Sequence, residues 1–116
     1  MAAAVAFSRR VPRTLDDRGA RRLLHAVGAE TFGDGMALAA VRGRIGADVV
    51  VAHRDLPARW IPPRSPVGGR DLVRFGLGGG PRVGRLLAEA EAEWVESDFT
   101  LDREALLAFL ARRIEE

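Results

Sequence analysis

A chain of 116 residues with a 47% apolar fraction holds one small domain or two helical subdomains, and with few aromatic residues its core must come mostly from Ala, Leu and Val. The absence of Cys excludes a disulfide framework, a thiolate nucleophile and a Cys-bound metal, and the two histidines, His25 and His53, have no metal-ligand spacing. Every basic residue is Arg, as GC-rich codons alone produce, but the charge is unevenly spread: residues 1–85 hold 15 Arg against 7 acids, a net of +8, and residues 86–116 hold 3 Arg against 9 acids, a net of −6. A basic front and an acidic rear orient a molecule towards a polyanion.

Residues 1–13 read as a flexible lead-in. The Ala-rich stretch at its start is too short to span a membrane, and Arg9 and Arg10 follow it, whereas a secretory signal carries its positive charge in front. The cytoplasm is therefore the expected compartment, with no membrane partner. Residues 14–59 read as a helical body segment of about three helices. Thr14-Leu15-Asp16-Asp17 starts the first, with Thr14 as hydroxyl cap and a carboxylate three residues on; Gly28 stops it. The second runs from about 29 to 42, with Phe32, Met36, Ala39 and Ala40 at helical spacing and Gly33 and Gly35 each weakening it by roughly 1 kcal/mol relative to Ala. Residues 45–53 contain three consecutive Val, which favours a strand. No second strand-like run exists to pair with it, so a short helix over 47–53 is expected, ended by Asp55-Leu56-Pro57.

Residues 60–69 read as a Pro/Gly hinge, and residues 70–116 as a helical tail. The tail opens with a short helix over 70–75 and a glycine turn over 76–80. Pro81 then starts a long helix to about Glu96, where a missing N–H leaves nothing unsatisfied. On it Val83, Leu86, Leu87, Ala90 and Trp94 share one face, and Arg85 and Glu89 form an i,i+4 pair. Ser97-Asp98-Phe99 breaks the helix. Thr100 or Asp102 caps the last one, whose Arg112 and Arg113 suit its C-terminal dipole. The fold class is all-α.

The segment over 70–87 is the most specific local feature: helix, glycine turn, helix. Its glycines, Gly78, Gly79 and Gly80 among them, let another backbone approach closely. The first N–H groups of the helix begun by Pro81 lack internal partners and favour an anion. Arg70, Arg74, Arg82 and Arg85 flank the turn, which suits a nucleic-acid backbone held without reading bases. The bland alternative is a tight turn between packed helices, with Gly84 small because a neighbouring helix crosses there. No Gly-Lys-Ser/Thr follows and no strand precedes, so this is neither a P-loop nor a dinucleotide fingerprint.

Other residues carry less. Asp16 and Asp17 suit a helix start better than a metal. His25 lies beside an apolar stripe, and His53 has no nucleophile nearby. Trp60 beside Pro62-Pro63 stacks a base or plugs the hinge. Trp94 reads as core, and Glu89, Glu91 and Glu93 as a solvated face. No set of residues supplies nucleophile, base and oxyanion donor together, so no catalytic or metal-binding residue is expected.

The pattern Pro66-Val67-Gly68-Gly69-Arg70-Asp71-Leu72, Gly76-Leu77, Gly80-Pro81-Arg82-Val83-Gly84, Leu86-Leu87, Trp94, Asp98-Phe99 and Asp102-Arg103 resembles the C-terminal region of bacterial tRNA nucleotidyltransferases, the CCA-adding enzymes related to bacterial poly(A) polymerase. Residues 17–32 are similar to the helical body segment before that tail. The resemblance runs from about Leu15 to Leu110. It implies that the chemistry belongs to an N-terminal head, in which an Asp-x-Asp pair holds Mg²⁺, and to a neck that selects CTP or ATP. This chain contains no Asp-x-Asp, so no catalytic or nucleotide-selecting residue carries over, and Mg²⁺, CTP and ATP are expected only in that absent head. What the resemblance implies here is contact with the tRNA elbow, in a piece that is not an enzyme by itself. The expected partners are tRNA or another structured RNA, with a separate catalytic head or a second copy as further candidates. The alternative function is a protein-interaction module that uses apolar surface the neck would cover.

Overall fold

The computed structural model describes residues 2–115; Met1, in the lead-in, and Glu116, in the tail, lie outside the described residues. The described residues are all-helical, with no strand, and divide into two compact units, Met1–Pro62 and Pro63–Glu116. The division falls within the Pro- and Gly-rich stretch over 60–69.

The first unit contains α1 (Ala2–Ser8), α2 (Asp17–Val27), α3 (Ala29–Val41), α4 (Ala47–His53) and α5 (Leu56–Arg59). The structure corrects the reading of residues 1–13 as a flexible lead-in. α1 packs on α3, and Ala4, Phe7 and Ser8 are buried. The Phe7 ring lies 6.0 Å from that of Phe32, tilted by 34°. Gly35 is the reason α1 can dock: a Cβ there would overlap the Phe7 ring and come within 3.2 Å of the Ala4 carbonyl oxygen. Gly35 thus weakens α3 by propensity and permits its closest packing contact, whereas Gly33 faces open space.

The start of α2 also differs from expectation. Asp16, not Thr14, is the N-cap, and its carboxylate accepts the Gly19 N–H at 2.7 Å. α4 spans 47–53 as expected: Val49 and Val50 pack on the helical core, and no strand is present among the described residues for the segment to pair with. Asp55-Leu56-Pro57 does not simply end the body: α5 adds one further turn that buries Leu56. Trp60 packs against this same core.

His53 is 2% exposed. Its Nε2 lies 2.6 Å from the Leu15 carbonyl oxygen, which can only accept, so the proton sits on Nε2. Nδ1 is buried without a hydrogen-bond partner and faces the Asp17 carboxylate at 3.7 Å. His53 therefore ties α4 to the segment preceding α2.

The second unit contains α6 (Gly69–Arg74), α7 (Pro81–Glu96) and α8 (Arg103–Glu115). Leu72, Leu86, Ala90, Trp94, Leu106 and Leu110 form its buried centre. Between α7 and α8, Asp98 and Phe99 both take left-handed backbone angles, φ 59° and 63°. The Phe99 N–H returns to the Trp94 carbonyl at 2.9 Å, and its ring meets Trp94 edge-on at 5.0 Å. Ring packing compensates a conformation that side chains other than Gly rarely adopt. Of the two cap candidates for α8, Asp102 fills the role: it accepts the Ala105 N–H at 2.8 Å. Thr100 donates its hydroxyl to the Ser97 carbonyl.

Candidate nucleic-acid interface

Gly68 caps the start of α6, and its N–H donates to the Asp71 carboxylate at 2.8 Å. Asp71 is 6% exposed, and Arg103 of α8 grips both its oxygens while also donating to the Pro66 carbonyl at 2.9 Å. The Arg103 hydrogen bond, aided by the Gly68 N–H, holds the Asp71 carboxyl below the usual carboxylate range and raises the Arg103 guanidinium in turn. The chain leaves α6 at Phe75 and turns through Gly76, φ 86°, to Gly80, φ 116°, before Pro81 opens α7. Both positions lie in the region that favours Gly.

Two clefts flank this turn. One, of about 460 Å³, is lined by Ser65, Gly68, Gly69, Arg70, Arg74 and Arg103, among others. The second, of about 450 Å³, is lined by Arg82, Arg85, Leu86, Glu89 and Arg113. The four arginines read as flanking the turn are thus split two and two, and Gly78, Gly79 and Gly80 line neither cleft. The three glycines are exposed, with open space around them. Gly84 is exposed as well and meets nothing within 4 Å, so no crossing helix accounts for its small size.

The arginines differ in availability. Arg113 binds Glu89 through two hydrogen bonds of 2.9 and 3.0 Å and lowers the Glu89 carboxyl from its ordinary value, with Arg85 adding a weaker, longer-range contribution in place of the close pair expected. Arg113 stands in the last turn of α8, as its dipole reading requires, and also cross-links α8 to α7. Arg82 donates to the Ile114 carbonyl at 3.1 Å near the end of α8. Arg70, Arg74 and Arg85 are exposed and make no hydrogen bond or ion pair among the described residues. Sequence reasoning missed Arg103 and Arg113 as members of the two clefts, because each joins a partner more than twenty residues away. Asp71, the sole acid between residues 63 and 85, was the available signal: it calls for a cation to satisfy it.

Asp16 is spent on the α2 cap, Asp17 faces His53, and no group of three or more potential metal ligands is assembled among the described residues. Among those residues, no helix is long and apolar enough to cross a membrane.

No family model matches this chain, and no solved structure matches it. Over 54 residues, 47% of its length, it is similar to curated proteins named CCA tRNA nucleotidyltransferase 1, mitochondrial: 35% identical to that of Danio rerio, and 28% to those of Mus musculus and Homo sapiens. The matched stretch spans 12% of the length of each relative. The chain is thus distantly related, over about half its length, to the CCA tRNA nucleotidyltransferases.

Proposed function

We propose that this chain is a body-and-tail piece of the CCA-adding type that binds tRNA, or another structured RNA, through its phosphates, and that the nucleotidyl-transfer chemistry belongs to a head outside it. The observation that carries this reading is the local excess of arginine over residues 63–85. Arg70, Arg74 and Arg85 are exposed and make no hydrogen bond or close ion pair among the described residues, while the sole acid over 63–85 is buried against Arg103. Such a surface attracts a polyanion and offers forked donors to phosphate oxygens. The partial similarity to tRNA nucleotidyltransferases makes tRNA the natural polyanion.

The test is tRNA affinity as a function of salt. Each phosphate contact releases counterions, so Arg70, Arg74 and Arg85 changed together to Gln should reduce the log–log salt slope by about 3. An unchanged affinity and slope would sink the assignment.

A second reading, a protein-interaction module, is favoured by the first unit. Val41 and Ile61 are each 85% exposed and Val51 61%, apolar surface that a partner would cover. Light scattering after size exclusion distinguishes the two: a tight self-associated species that excludes RNA supports the second.

A further inference from the structure

We propose that the cleft lined by Arg70, Arg74 and Arg103 is a site for a phosphate monoester, carried by a small phosphorylated ligand or by the phosphorylated end of an RNA. The site goes beyond the RNA reading above, which needs only the phosphodiesters of a strand. The cleft measures about 460 Å³, within the range of sites for small ligands.

Its donors are guanidinium groups. Arg70 and Arg74 stand one turn apart on α6, and Arg103 lines the cleft from the start of α8. Arg70 and Arg74 are exposed and make no hydrogen bond among the described residues. Arg103 bonds Asp71 and the Pro66 carbonyl through Nη1 and Nη2 only, and its Nε–H is unused. Ser65 also lines the cleft, but its hydroxyl is engaged, donating to the Val67 carbonyl at 3.1 Å.

Charge selects the ligand. Three guanidinium groups against the Asp71 carboxylate give the cleft a net charge of +2. Arg103 holds both Asp71 oxygens, and Asp71 is 6% exposed, so little carboxylate surface is left to repel an anion. The cleft of Arg82, Arg85 and Arg113 is less suited. Its Glu89 is 40% exposed, and Arg82 and Arg113 are already bonded to Ile114 and Glu89. A single carboxylate or phosphodiester brings one negative charge and leaves a guanidinium of the first cleft unanswered. A phosphate monoester brings about −1.5 to −2 at neutral pH, with acceptor oxygens that suit planar donor forks.

The experiment titrates the full chain with AMP, 3′,5′-cyclic AMP and adenosine, followed by calorimetry and through arginine Nε–H resonances. AMP carries a monoester, cyclic AMP a diester and adenosine neither. AMP should bind about ten- to a hundredfold more tightly than the other two, the range for hydrogen bonds to a charged group. That margin should shrink as pH falls through the second ionisation of AMP at about 6, a range in which Asp71 stays ionised. Arg70→Gln combined with Arg74→Gln should abolish the preference for AMP. Arg85→Gln, in the other cleft, should keep it. A stem–loop RNA with a 5′-phosphate that displaces AMP better than its phosphatase-treated form identifies an RNA end as the carrier, and equal displacement by the two identifies a small ligand. Three results overturn the assignment: AMP bound no more tightly than cyclic AMP, a preference that survives the double variant, or an acidic peptide that displaces AMP better than inorganic phosphate does. None of them decides the RNA reading, which stands or falls on the salt slope with tRNA.

Discussion

Arg103 closes on Asp71 across thirty-two residues of sequence and fastens the start of α6 to the start of α8. Asp71→Asn removes the charge and keeps the shape, and should destabilise the second unit by about 1 kcal/mol, a value discounted because half of the Arg103 side chain is in water. The Asp71 carboxyl is lowered in the folded chain. Its contribution is therefore fully present above the ordinary value of 3.8 and disappears as pH falls through the folded value. Urea midpoints of wild type and Asp71→Asn should differ by a constant amount at neutral pH and converge in strong acid.

Two glycines should respond to Ala in opposite directions. Gly35→Ala forces a Cβ into the Phe7 ring and should destabilise the first unit by about 1–3 kcal/mol. Gly84→Ala sits on an open, exposed stretch of α7 and should stabilise the second by about 0.5–1 kcal/mol. Chemical denaturation of the two single variants decides both signs.

His53→Leu preserves bulk but leaves the Leu15 carbonyl without its 2.6 Å donor in a buried setting. A loss of about 1–3 kcal/mol is expected. Nitrogen chemical shifts of the imidazole should report protonation at Nε2 in the wild-type neutral ring.

Arg85→Gln and Arg82→Gln separate binding from folding. Arg85 makes no hydrogen bond or close ion pair among the described residues and acts on Glu89 only at longer range, so its loss should weaken tRNA binding and lower the salt slope by about 1 with little change in thermal midpoint. Arg82 holds the Ile114 carbonyl, so its loss should also fray the end of α8, seen as faster amide exchange there.

Incubated with a tRNA lacking its 3′ end, CTP, ATP and Mg²⁺, the chain alone should add no nucleotide. Extension visible on a denaturing gel would contradict a division of labour in which the chemistry lies in another segment.

The helices were legible where period and punctuation agreed. Pro81 marked the start of α7, and the lack of a pairing partner identified 47–53 as helix in spite of its Val residues. α1 was not legible, since seven Ala-rich residues are too short to hold a helix alone, and their docking on α3 depends on the room that Gly35 leaves for Phe7. The candidate arginines were all present in the sequence, but their division into two clefts and the pairing of Arg103 and Arg113 depend on where α8 lies. Spacing along one helix argued for Arg85 with Glu89. Arg113 reaches Glu89 from a neighbouring helix with two hydrogen bonds, a better geometry than one exposed i,i+4 pair supplies.

The grip of Arg103 on Asp71, together with burial of Leu72, makes the glycine turn dispensable as a covalent link. α6 is fastened to the rest of its unit through side chains, and Gly78 and Gly79 are exposed, with open space where a side chain would stand. A peptide bond cut between those two glycines should leave both pieces assembled, and new chain ends placed there in a circular permutant should still yield a folded second unit.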